Sequence, residues 1–247
     1  MSQNSSEDGK RSARERLRAE QQRHKASEKR RRTLKAGAVV VGVLAVATAV
    51  GATVAGQTGE GDDSAQSAKP ITVGHRDAPA KLTVYEDFRC PACAQFENAY
   101  RGTIRSLEKA GKLKAEYHLV TLIDSSLGGS GSRKAANAAA CAKDQGKFAA
   151  YHDVLYRNQP AEQDDAFAST RRLIRLAGKV DGLAGPAFEK CVTTGRHEAW
   201  VKRADEEFRT SGHQGTPTVL LDGKNVYANQ ADPLTPGKLR KMVERKG

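Results

Sequence analysis

Cys90 and Cys93 stand two residues apart, with Pro91 and Ala92 between them. A C-x-x-C of this kind either holds a metal or trades electrons. Strong zinc signatures pair one C-x-x-C with a second, or with closely spaced histidines, and the sequence contains neither. The electron-transfer reading follows from the neighbours. An alternating β-type run, Lys81 to Phe88, ends just before Cys90, and a helical pattern begins at Pro91. Cys90 therefore sits at a helix start, where free backbone N–H groups and the helix dipole favour a thiolate, the form that attacks a disulfide. Proline suits the first helical position because its missing N–H costs nothing there. Cys93 falls in the first turn, further inside, where it can resolve a mixed disulfide formed at Cys90. A purely structural bridge between the two is the competing reading.

Cys141 and Cys191 lie fifty residues apart, with no second cysteine near either. In an exported protein such a leftover pair is expected to form a structural disulfide, and closing a loop of that length stabilises a fold by about 4 kcal/mol. Free buried thiols are the alternative.

The elements that must position these residues can be read along the chain. The strand 81–88, the helix from Pro91 to a stop at Gly111, and a second strand at Leu113–Leu122 make a βαβ unit with parallel strands and a right-handed crossover. "LGGSGS" interrupts the pattern, and almost everything from Arg133 to Thr210 is helix-compatible. Two short apolar runs, "PTVLLDG" and "KNVYA", then meet at Asp222-Gly223, a hairpin signal. A last helix is capped by Thr235 and Pro236. The order predicts a thioredoxin-like α/β domain, residues 70–247, with a helical insertion at about 128–212.

The chain upstream has a different character. Of the net charge of +12, the segment 1–35 supplies +7, from twelve Lys and Arg against five acids. It has no apolar face to pack and reads as a disordered basic tail. It also lacks the interleaved aromatics of a nucleic-acid arm, so no nucleic-acid partner is expected. Residues 36–56, "AGAVVVGVLAVATAVGATVAG", are uncharged and long enough for a helix to cross a bilayer. With "KRRRTLK" before it and acids after it, this signal-anchor is expected to leave the tail cytoplasmic and the rest of the chain outside. A cleaved signal peptide competes, because "AVA" and "ATA" offer small-residue cleavage sites. Residues 57–69 read as a flexible Gly/Ser/Asp linker.

The stretch "DAPAKLTVYEDFRCPACAQF", together with "QGTPTVLLDG" over a hundred residues on, resembles the DsbA-like branch of the thioredoxin superfamily, in its membrane-anchored Gram-positive form. The resemblance spans about residues 70–247. It implies that Cys90 and Cys93 are catalytic, with Pro91 and Ala92 in the active-site turn. It implies further that Pro217 is cis beside the cysteines, and that Thr216 contacts the substrate backbone. It implies oxidation of exported proteins bearing free thiols, followed by reoxidation through a membrane-embedded, quinone-linked partner. No metal or organic cofactor is implied, and a monomer is expected.

Two positions depart from the family pattern. Ala92 replaces the histidine that often lies between the cysteines, and Val84 stands where an acid is often buried six residues before the first. Glu86 and Asp87 lie closer to the site; each is expected to be a solvent-exposed acid, with a proton relay as the sharper alternative. His213 reads as a surface-loop residue and Trp200 as packing within the insertion. His75, His118, His152 and His197 form no ligand spacing. The leading function is an extracytoplasmic thiol-disulfide oxidoreductase; a reductase or isomerase, or a tethered non-catalytic binding protein, are the alternatives.

Overall fold

β2, Ala80–Glu86, is buried along most of its length because it runs through the middle of the sheet. The computed structural model describes residues 67–229 and 231–246. In it β2 pairs in parallel with β3, Leu113–Leu119, from Ala80 opposite Leu113 to Glu86 opposite Leu119. On its other side it pairs antiparallel with β4, Thr218–Leu221. The connection between β2 and β3 is α1, Pro91–Lys109, whose Cys93, Phe96, Tyr100, Ile104 and Leu107 fall at helical spacing and are buried. Gly111, at φ 67°, turns the chain into β3.

Two strands complete the five-stranded order β1-β3-β2-β4-β5. β1, Ile71–Gly74, adds antiparallel to β3 and was not foreseen; four residues at a sheet edge are too few to show a period. β5, Lys224–Asn225, closes the expected hairpin. The turn residues Asp222 and Gly223 both have positive φ, 48° and 81°, as a two-residue hairpin turn of matching twist requires. The packed domain also begins earlier than Pro70. Ala68, assigned above to the linker, is buried, and its N–H donates to the Glu207 carboxylate at 2.7 Å.

Between β3 and β4 the chain is helical: α2 Leu122–Leu127, α3 Gly131–Asp144, α4 Phe148–Arg157, a 3-10 turn at Ala166–Ala168, α5 Thr170–Ala177, α6 Pro186–Thr193 and α7 Glu198–Thr210. α8, Pro236–Glu244, follows the hairpin and packs beside α1. α3 is the spine of the insertion. Its alanines at 135, 136, 138, 139, 140 and 142 are all buried, and small side chains all round let α4, α6 and α7 approach it together. Cys141 on α3 and Cys191 on α6 are joined by a disulfide, with Cα atoms 5.9 Å apart.

Among the described residues no helix is long and apolar enough to cross a membrane. The apolar run 36–56 and the basic tail lie outside the described residues, as does most of the linker.

Candidate active site

Cys90 is the N-cap of α1, with extended backbone at φ −73° and ψ 118°. Its N–H donates to the Asp87 carbonyl at 3.0 Å, and its own carbonyl accepts from the N–H groups of Cys93 and Ala94 at 3.1 and 3.2 Å. Pro91 and Ala92 are exposed, whereas Cys90 is only 6% exposed and Cys93 fully buried. The two thiols are unbridged, so this is the dithiol form. The Thr216-Pro217 bond is cis, and the Thr216 carbonyl accepts from the Cys90 thiol at 3.4 Å. Residues 126 positions apart in sequence thus meet at one sulfur.

The surroundings separate the two thiols. A hydrogen bond from Cys93 is the largest influence on Cys90 and outweighs the cost of burying its charge. Further bonds from the Thr216 side chain and from the N–H groups of Cys93 and Ala92 bring its pKa down to about 6. Burial drives Cys93 the other way, well above an ordinary cysteine, and the negative charge beside it adds to this. Near neutral pH the pair therefore holds one thiolate and one thiol.

Glu86 and Asp87 are not solvent-exposed acids: both are fully buried. The expectation failed because the end of β2 is roofed by the insertion, which the local sequence does not reveal. Asp87 braces the turn, accepting the Arg89 N–H at 2.8 Å and the Ile123 N–H at 2.9 Å. Burial nevertheless pushes its carboxyl up to about 7. Glu86 meets His152 of α4, with Oε1 and Nε2 at 2.6 Å. Glu97, one turn below Cys93 on α1, joins them, so that one donor atom from each of Glu86, Glu97 and His152 lies within 4.8 Å of the others. Burial opposes the charge on His152, but the two carboxyls overrule it and hold the imidazolium up to about 10. Burial raises Glu97 to about 8. The cluster thus carries exchangeable protons close to neutral pH. Its types would also suit a divalent cation, but the 2.6 Å His152–Glu86 contact already fills the imidazole's Nε2.

Sequence reasoning missed four residues here. Glu97 had a readable signal, being four residues after Cys93 on the same helix face. His152 and Gln159 come from the insertion and had none. Arg89, next to Cys90, is buried and bound to Asp124 at 2.8 Å and Asp165 at 3.1 Å. Of the remaining candidates, His213 is half-buried, its ring 5.0 Å from that of Tyr85. Trp200 is also half-buried and donates its indole N–H to the Lys69 carbonyl at 3.1 Å, so it ties the insertion to the start of the domain.

Comparison with known proteins agrees with this geometry. The family model described as Thioredoxin matches residues 66–245. A curated relative, "Probable disulfide bond formation protein D" of Bacillus anthracis, is 24% identical over 156 residues, covering 62% of this chain and 69% of that protein. The oxidised DsbA of Mycobacterium tuberculosis is 28% identical with a TM-score of 0.61, covering 72% of this chain and 92% of that one. The reduced disulfide bond oxidoreductase DsbG of the same organism is 28% identical with a TM-score of 0.62, covering 72% and 86%. The chain belongs to the thioredoxin family, as a thiol-disulfide oxidoreductase of the DsbA-like kind.

Proposed function

We propose that Cys90 and Cys93 are the catalytic dithiol of an oxidase that puts disulfides into exported proteins outside the cytoplasmic membrane. The observation that carries this reading is the opposed environment of the two thiols, which favours the thiolate at Cys90, the helix N-cap, and the thiol at the fully buried Cys93. A stabilised Cys90 thiolate stabilises the reduced enzyme, and a protein whose reduced form is stabilised is an oxidant.

In the working direction a substrate thiolate attacks Cys90 Sγ of the disulfide form. The Cys90–Cys93 bond breaks, a mixed disulfide forms at Cys90, and Cys93 leaves with the electron pair. Its high proton affinity means that it must be protonated, and the Glu86–Glu97–His152 cluster below it is the proposed source. Glu86 acts here as a proton relay, while Asp87, held by two backbone N–H groups, acts as a brace. A second substrate thiolate then attacks its own chain's sulfur, and Cys90 departs as the thiolate its surroundings favour. The exposed Pro91-Ala92 edge and the Thr216-Pro217 loop form the substrate-facing surface. Two electrons end on the enzyme, and a membrane-embedded, quinone-linked partner is proposed to remove them. The apolar run 36–56 would keep the enzyme beside such a partner.

Equilibration of the full chain with glutathione buffers tests the direction of electron flow. A potential near that of strong dithiol oxidants, about −120 mV, is the expected result. A value near that of thioredoxin, about −270 mV, would instead mark a reductase. A Cys90→Ser variant that still exchanged would remove Cys90 from the mixed disulfide assigned to it.

A further inference from the structure

Gln159 lies 69 residues from Cys90, in the segment between α4 and the 3-10 turn, yet its side chain touches the active-site turn. Nε2 is 2.9 Å from the Phe88 carbonyl and 3.0 Å from the Cys90 carbonyl. Both neighbours are acceptors only, so the nitrogen, and not the amide oxygen, must face them. Both amide hydrogens are thereby used. The Cys90 carbonyl is the first acceptor of α1, already taking the N–H groups of Cys93 and Ala94. Gln159 therefore grips the peptide group on which the start of the helix is built.

The segment that carries Gln159 is itself held from the other side of the site. Arg89 donates to the Glu162 carbonyl at 3.0 Å and the Gly128 carbonyl at 2.9 Å, and pairs with Asp124 and Asp165. Asp165 also accepts the N–H groups of Ser130 and Gly131, at 2.9 and 2.8 Å. The connections form a closed ring. The residue before Cys90 holds the strap 159–165, and the strap returns a side chain to Cys90. A covalent turn of two residues would move with any flexing of the loop after β2; a turn gripped at both flanks does not.

We propose that Gln159 is a positioning residue for the dithiol, fixing the Cys90 peptide group at the start of α1 so that the Cys90 sulfur keeps its place at the helix N-terminus beside the Thr216 carbonyl. This rests on the catalytic reading of Cys90 above. Gln159 touches neither sulfur, and it acts through the backbone that presents them. The Met side chain has nearly the same length and volume but no donors, which makes Gln159→Met the informative change.

The test is a pH titration of thiolate absorbance on the reduced full chain, with the glutathione equilibrium constant and thermal midpoint measured on the same samples. The wild type is expected to titrate near pH 6. Gln159→Met is expected to raise that midpoint by about one pH unit and to make the enzyme about tenfold less oxidising, or about 30 mV. Gln159→Glu, with a carboxylate facing two carbonyls, is expected to shift at least as far above the pH where it ionises. Variants that lower the thermal midpoint but leave both the thiolate titration and the equilibrium constant unchanged would reduce Gln159 to a structural tie and overturn the proposal. A wild type with no Cys90-dependent titration or exchange would instead sink the catalytic reading itself.

Discussion

Ala92 offers no imidazole between the two cysteines, so the thiolate at Cys90 depends on its partner thiol, the Thr216 side chain and backbone N–H groups. A second adjustment lies below it. Val84 is apolar, and the acid sits two residues later on the same face of β2, as Glu86, with an imidazolium for company. The pairing has a price in pH sensitivity. His152 is held up to about 10 in the fold, above an unfolded histidine at about 6.5. Its contribution to stability is therefore complete below about pH 6.5 and disappears as the pH rises through about 10. His152→Gln strands the Glu86 carboxylate and should cost about 3–5 kcal/mol near neutral pH. The deficit should shrink as the pH rises through about 10, where His152 gives up its proton in the wild type. Urea unfolding of both proteins across this range measures it; an equal loss at all pH values would mean that the pair is not ionic.

At the scale of elements, the helices between β3 and β4 do more than cover the sheet, because they send polar side chains to the active-site turn: His152 from α4, Gln159 after it, and Asp124 and Asp165 around Arg89. These long-range partners explain what was legible beforehand. The βαβ unit, the hairpin at Asp222-Gly223 and the run of helices were readable because each is written in local periodicity and turn chemistry. The burial of Glu86 and Asp87 was not, since it depends on helices 35 or more residues away folding back over β2. β1 escaped notice for lack of length. The Cys141–Cys191 bond belongs to this scale as well, clipping α6 to the spine helix α3. Replacing both cysteines with alanine should lower stability by about 2–5 kcal/mol while leaving the rate of thiol exchange at Cys90 unchanged. Chemical denaturation and a disulfide-exchange assay on the same protein separate the two effects; a matching loss of exchange rate would mean that the insertion's rigidity reaches the dithiol.

For the whole molecule the decisive property is the side of the membrane on which the dithiol works. The basic segment and apolar run that precede the domain predict opposite labelling of the two ends. A membrane-impermeant maleimide added to intact cells under reducing conditions should modify Cys90 and miss a cysteine introduced as Ser5→Cys. Modification of both, or of the introduced cysteine alone, would refute the proposed topology.

The bond between α3 and α6 has a consequence for how such an enzyme comes into being. In the finished fold Cys141 is only 1% exposed and lies where α4, α6 and α7 pack on α3, so its sulfur is most open before those helices close. A newly exported chain that receives this bond before folding is, at that moment, chemically a client. On the proposed function, the agent able to supply it is an older copy of the same protein. Each generation would then be matured by the one before it, and a cell stripped of the enzyme would restart production with a lag, at a rate that grows with the product.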